Sequence, residues 1–492
     1  MAPDLLSMNR KSLLWLAGAA ATVALAAGGI WLARDFRYRR AWAAARPPIP
    51  DLTGWPGKFL SQVNAADART AHWPTRAAAL GDLGVLYLAN GFSVQAETCL
   101  RAVCHYDPAN ARWPHLLGSL LAGYGRLEEA LPLFQAAVAR NPGDIPARLR
   151  VGDILLKTNR PEAAATAYRE VLQISPTDPY AMLGLARIDL AGGRWSAARL
   201  QLEAATRAHP DFPAAFNLLA KIYERAGNTE RAEESRQRGE TLGRFRDVPD
   251  PQVDDLWQVC YDVYRLQVTA ATRVSTGQGR AALPVLERAL DLAPANAYLE
   301  RQIGNLRREL GDLAAAREHL EKAVGLQPNE AAAYLDLIAV YKAQEDSAAR
   351  SRILDQGLRQ CPNDAGLHFE RGLERVTAGQ FETAVSSFQT AIRLSPEKVP
   401  AYFQLALVLF RLGRPEEAAA ALETALVHEP DYGPGLQALI HYRITQHQAA
   451  PAAALLAQAQ RLGLNGTAFT ELAQDYERVF GQPPPEPPGP TM

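Results

Sequence analysis

Prolines recur in this chain at a fixed distance. Pro108, Pro142, Pro176 and Pro210 stand 34 residues apart, and Pro294, Pro328, Pro362, Pro396 and Pro430 keep the same step. A period of that length marks a structural unit that cannot bury its apolar face alone and so stacks on copies of itself. Proline has no amide hydrogen to donate and turns the preceding residue away from helix, so each period is expected to close a helix there. In "RWPHLLGSLLAGYGRLEEALPLFQAAVARNPGD" a first helix carries Leu117, Gly118 and Leu121, and Gly123–Gly125 make a turn. A second helix carries Ala130, Phe134 and Ala137 before Pro142. The abundance of Ala, Leu and Arg, all strong helix formers, agrees with this reading.

The same places are held by Gly84, Tyr87, Ala96, Leu100, Val103 and Pro108, and by Gly152, Leu155, Ala164, Tyr168, Val171 and Pro176. They return as Ala406, Leu409, Ala418, Leu422, Ala425 and Pro430. Small residues at the Gly/Ala places let paired helices approach, and larger ones fill the gap to the next pair. This pattern resembles the tetratricopeptide repeat, whose unit is two antiparallel helices of the same total length. The resemblance implies an all-α superhelical solenoid of about ten to eleven units, here in two arrays. The step from Pro210 to Pro294 is two periods and about half of a third. That surplus falls around "GRFRDVPDPQVDD" (243–255), whose prolines and aspartates read as a break. The expected order is a cap helix over 57–76, a first array over 77–242, a joint over 243–256 and a second array over 257–466. A capping helix over 467–480 and a disordered Pro-rich tail over 481–492 follow.

Ahead of the repeats, "SLLWLAGAAATVALAAGGIWLA" (12–33) runs without a charge. It is long enough to span a bilayer as one helix, with Trp15 and Trp31 near the two interfaces. A signal peptide cut after Ala24-Leu25-Ala26 is the rival reading. An arginine cluster at Arg34, Arg37, Arg39 and Arg40 reads as a stop and favours an uncleaved anchor. A short tail (1–11) precedes the span, and a basic, Pro-rich linker (34–56) follows it. The excess of arginine after the span places the soluble part in the cytoplasm; a signal-anchor start at Arg10-Lys11 would instead put it in the periplasm of a bacterium.

Few residues are left over for chemistry. Cys99, Cys104 and His105 form C-x4-C-H, longer than the usual attachment site of a c-type haem. On a helix, residues five apart are rotated by about 140°, so the two sulfurs would face different ways. Small apolar core residues are the expectation for both cysteines, with a haem redox protein as the alternative. No phosphate loop, H-E-x-x-H or G-x-S-x-G occurs. Glu128-Glu129 and Glu416-Glu417 open second helices, where negative charge suits the helix dipole. No catalytic, metal or cofactor site is therefore expected, and the chain is not read as an enzyme.

In the family that the repeats resemble, the concave face is lined by first helices and binds peptide segments of partner proteins. In the first array the positions there are Arg112, His115, Lys157, Arg187, Asn217, Lys221 and Arg225. In a chain of net charge −1 that cationic stripe suggests an acidic ligand. In the second array they include Tyr298, Phe369, Phe403 and Phe410, aromatic places suited to an apolar or helical segment. The function expected is a membrane-tethered interaction scaffold for proteins or peptides, possible in envelope assembly by architecture alone; self-association of the arrays is a further alternative. Nothing marks the chain as binding nucleic acid.

Overall fold

The computed structural model describes residues 46–72, 75–242, 247–464 and 466–484. The apolar segment 12–33 lies outside the described residues, as does 485–492 of the Pro-rich tail. Among the described residues, the secondary structure is helical, and no helix is long and apolar enough to cross a membrane.

A lead helix, α1 (Gly57–Arg69), buries Phe59 and Val63. Five hairpins follow: α2 (Arg76–Ala89) with α3 (Ser93–Tyr106), α4 (Arg112–Gly123) with α5 (Leu127–Arg140), and α6 (Ile145–Lys157) with α7 (Pro161–Ile174). The fourth and fifth are α8 (Pro179–Ala191) with α9 (Trp195–Ala208), and α10 (Pro213–Arg225) with α11 (Thr229–Leu242). After an irregular stretch containing the single turn α12 (Pro251–Asp254), a sixth hairpin pairs α13 (Val263–Ser275) with α14 (Gly279–Leu292). Contacts close a first unit at Pro294.

The second unit has five hairpins of its own: α15 (Ala297–Glu309) with α16 (Leu313–Leu326), α17 (Ala331–Ala343) with α18 (Ser347–Gln360), and α19 (Ala365–Thr377) with α20 (Phe381–Leu394). Then come α21 (Val399–Arg411) with α22 (Pro415–His428), and α23 (Gly433–Thr445) with α24 (Ala449–Arg461). Helix α25 (Thr467–Phe480) covers the end of this unit, burying Phe469, Leu472 and Tyr476.

The period is visible in the backbone as well as in the prolines. A left-handed residue sits in the turn of each hairpin at 91, 125, 159, 193 and 227, and again at 277, 311, 345, 379, 413 and 447. Glycine fills most of these places because it reaches positive φ without strain; Asn159, Glu345 and His447 do so at some cost. The step from 227 to 277 exceeds one period by about half, the same surplus that the prolines show.

Within several hairpins a small residue faces a large one. A Cβ added to Gly152 would stand 2.6 Å from Tyr168 Cε1, and one on Gly184 of the next hairpin 2.4 Å from Tyr168 Cζ. One aromatic ring thus fills the seam between two glycines and ties successive hairpins together. In the second unit Gly372 stands against Phe388 in the same way, at 2.4 Å. Aspartates cap several first helices: Asp144 and Asp178 accept from the amides of Ala147 and Ala181.

Candidate interaction groove

The surplus does not hang free between hairpins. It lies across the first helices of the first unit and retraces the array from its later hairpins to its first. We refer to residues 247–262 as the strap. It carries Asp247, Asp250, Asp254, Asp255 and Asp262, with no Lys or Arg.

At its start the strap meets α6 and α8. Arg150 donates from both terminal nitrogens to the Asp247 carboxylate, at 3.0 and 3.1 Å. The Tyr180 hydroxyl donates to the Asp247 carbonyl at 3.0 Å. The two-pronged geometry orients the carboxylate more firmly than a point charge could.

Its middle is locked to His115 on α4. The ring's Nδ1 lies 3.0 Å from Asp144 Oδ2 and its Nε2 lies 2.6 Å from Asp250 Oδ2. His115 is 0% exposed, Asp250 3% and Asp144 6%. Burial on its own would lower the pKa of this imidazole; its hydrogen bonds and charge pairing with the two carboxylates win and hold it at about 9. Both ring nitrogens therefore donate at neutral pH. Asp144 sits below the ordinary carboxylate range, since the His115 hydrogen bond and the Ala147 amide outweigh its burial. Gln252 Nε2 donates to Asp144 Oδ2 at 3.1 Å, adding a second contact from the strap.

Its end reaches the first hairpin. Asn90, at the end of α2, donates to the Val259 carbonyl at 3.0 Å and accepts from the Tyr261 amide at 2.6 Å. The Tyr261 ring lies 5.4 Å from Phe59 and has the Arg288 guanidinium over it at 4.6 Å. Val248 and Tyr261 join the apolar core of the first hairpins. Arg265 of α13 lies beside Gly91, where a Cβ would come 2.7 Å from its Nε. The sixth hairpin, placed by its sequence at the head of the second array, is for this reason part of the first unit. Between strap, first helices and α13 remains a cleft of about 950 Å³, with Arg150, Asp153, Lys157, Trp257, Tyr264 and Arg273 in its walls.

Of the stripe read from sequence, the structure gathers His115 and Lys157 around the strap. Arg112, Arg187, Asn217, Lys221 and Arg225 are exposed and stand outside the cleft walls. Arg225 stacks 4.4 Å over Trp195, and Arg112 lies 5.5 Å from the Trp113 ring. In the second unit Tyr298 is 54% exposed. Phe369, Phe403 and Phe410 are half-buried, against Phe388, Tyr432 and Tyr442 at 5.7, 5.8 and 5.5 Å. Asn90, Asp144, Arg150, Tyr180, Asp247 and Asp250 were not singled out in the sequence. The available signal was the run of aspartates in the surplus, opposite a cationic face.

The C-x4-C-H residues do not fit a covalently held porphyrin. They share the unbroken helix α3, and Cys99 is fully buried in the seam, 3.0 Å from where a Gly84 Cβ would stand. Burial pushes its thiol up to about 12 and that of Cys104 to about 11, far from the reactive thiolate. His105 points to solvent beside Tyr106.

Stacked helical hairpins whose first helices carry a segment of the same chain define a helical-repeat protein. Tetratricopeptide-repeat models match at 81–145, 115–179, 270–331, 301–365 and 369–434, and another at 155–222. The chain belongs to the tetratricopeptide repeat family, whose members act as protein-interaction scaffolds. Among curated proteins it is similar to cellulose synthase 1 operon protein C of Komagataeibacter xylinus, 29% identical over 150 residues, covering 28% of this chain and 11% of that one. It also resembles the Arabidopsis thaliana protein CTR9 homolog, 24% identical over 355 residues and covering 63% and 31%. The chain thus spans less than a third of the length of these relatives. Similar solved structures include YrrB, described as having an unusual peptide-binding site, at 21% identity, 36% and 91% coverage and a TM-score of 0.30. Yeast Tom70 aligns at 15% identity, 84% and 97% coverage and a TM-score of 0.35.

Proposed function

We propose that this chain is a membrane-tethered scaffold that binds partner peptides or proteins on the first helices of its arrays. The observation that supports this reading most directly is the grip on the strap. Side chains of the first helices hold main-chain groups and carboxylates of a short, partly helical segment, as a peptide-binding face must. The tether would be residues 12–33, whose length and lack of charge suit a bilayer span. Confinement to a membrane raises the local concentration of partners there. Work at a bacterial envelope is the setting we favour, in keeping with the likeness to a cellulose synthase operon protein C. The chain's part in that work would be recruitment rather than catalysis.

The test places photo-crosslinking residues at Tyr298 and Leu407, exposed on first helices of the second unit, and at Lys221 in the first. Crosslinked proteins are identified from intact cells by mass spectrometry. A reproducible partner that disappears on Tyr298→Asp or Lys221→Glu supports the scaffold. Crosslinks that are the same with and without these substitutions would reject it. Separately, membrane fractionation with residues 12–33 deleted should move the chain to the soluble fraction.

A further inference from the structure

We propose that residues 247–262 are a ligand of the first array carried in the same chain, and that the groove beneath them takes, in trans, an acidic segment of the same chemistry by displacing them. This rests on the scaffold reading and adds the kind of partner.

Three features mark the strap as a ligand rather than as part of the repeat frame. Its length equals the surplus: after it, the turn residues resume at 277, 311 and 345 with their old spacing. The Gly152–Tyr168–Gly184 seam between hairpins forms without it, and its Val248 and Tyr261 rest on the core as added side chains. Finally, the groove reads it as a groove reads a peptide. Asn90 and Tyr180 hold main-chain groups, which any sequence would supply, through the Val259 carbonyl, the Tyr261 amide and the Asp247 carbonyl. Arg150 and His115 hold the Asp247 and Asp250 carboxylates, which only an acidic residue would supply.

The chemistry of a partner follows. Two carboxylates spaced as Asp247 and Asp250 are meet Arg150 and His115. Prolines beside them, as at Pro249 and Pro251, stiffen the chain and lower the entropy lost on binding. An aromatic residue placed after the second carboxylate as Tyr261 is after Asp250 reaches the Phe59 pocket. A basic or neutral segment would leave the buried His115–Asp144 pair short of its second carboxylate, a costly omission for an imidazolium cut off from water. The strap competes from an effective concentration on the order of millimolar, so a trans segment binds weakly until the strap is loosened. Displacement would also free the lead-in to α13, since Val259 and Tyr261 are its ties to Asn90.

The experiment uses the full chain and a fluorescein-labelled synthetic peptide of residues 247–262. Anisotropy should show binding at least tenfold tighter to the Asp247→Asn/Asp250→Asn chain than to the wild type. Adding Arg150→Glu to that variant should remove the gain, and a peptide with both aspartates changed to asparagine should bind at least tenfold more weakly. Equal binding to the wild type and the double variant, or binding to neither, would overturn the proposal. Should the double variant unfold, the wild type decides: saturating peptide should speed hydrogen exchange at the Tyr261 amide severalfold while α7 and α9 keep their protection. Unchanged exchange at Tyr261 would overturn the proposal equally. If crosslinked partners are found in cells while the peptide fails both tests, the scaffold reading stands and the built-in ligand falls. Peptide competition without any cellular partner would do the reverse.

Discussion

The two units are built from the same hairpin but treat the exposed side of their first helices differently. In the second unit neighbouring first helices satisfy each other: Arg301 and Asn305 of α15 both donate to Asp336 of α17, at 2.6 and 2.7 Å. In the first unit the corresponding side chains also reach the strap: Arg150 pairs with Asp247, and His115 bridges Asp250 of the strap and Asp144 at the start of the neighbouring helix α6. A repeat face can therefore be closed by pairing along the array or by capturing a segment of chain. The second solution leaves buried charge dependent on a piece that lies outside the repeat.

That dependence gives the largest expected effect. His115→Leu leaves Asp144 and Asp250 buried without their cation, and breaking such a pair costs about 3–5 kcal/mol. Denaturant unfolding followed by hydrogen exchange should show the first unit weakened by that order and the second unchanged. An equal loss in both units would mean that the strap is no local device.

Seam substitutions should rank next. Gly184→Ala drives a methyl into Tyr168, which Gly152 blocks on its other side, and about 1–3 kcal/mol is expected for such overpacking. Gly372→Ala meets Phe388, which no glycine of the following helix α21 confines, and should cost less. Thermal unfolding of the two variants checks the order; a reversed order would show that the Tyr168 seam is the looser one.

pH probes the strap without mutation. His115 is raised in the folded state, so its contribution is fully present below its ordinary pKa of about 6.5 and is lost as pH rises through about 9. Asp144, Asp250 and the Gln252 amide face the ring, with Phe134 edge-on at 5.5 Å. Trp257 fluorescence and exchange at the strap should report loosening over that window. His115→Gln should remove the alkaline transition.

The smallest effect concerns turns. Glu345 holds φ 58 where its counterparts are mostly glycine, and Glu345→Gly should stabilise the second unit by about 0.5–1 kcal/mol in chemical denaturation. Gly125→Ala in the first unit should lose a similar amount.

Much of the frame was legible beforehand because it is local. The prolines, the turn positions and the Gly–aromatic pairs each lie within a single period of their neighbours, and helix propensity, packing size and positive φ act at that range. Among the site residues, His115 and Lys157 stand on first helices as their register implies, but only the structure shows that Lys157 lines the cleft and that His115 is buried under the strap. Asn90 was not legible, for its partner Tyr261 lies 171 residues away and an asparagine at a helix end is ordinarily a cap. Asp144 was hidden by the opposite fault: it has a full local explanation as the cap of α6, and nothing in the chain's order shows its second partner. Phe369, Phe403 and Phe410 were placed on the correct helices, but only packing told which rings lie half-buried.

Sequence alone determined that this chain folds as metered helical hairpins, and that one stretch, about half a period long, does not fit the meter. Where that stretch goes was decided in three dimensions. A surplus of five carboxylates has no helical partner of its own. It becomes ordered only where a stack of first helices brings His115, Arg150 and Asn90, dispersed along the chain, into one groove.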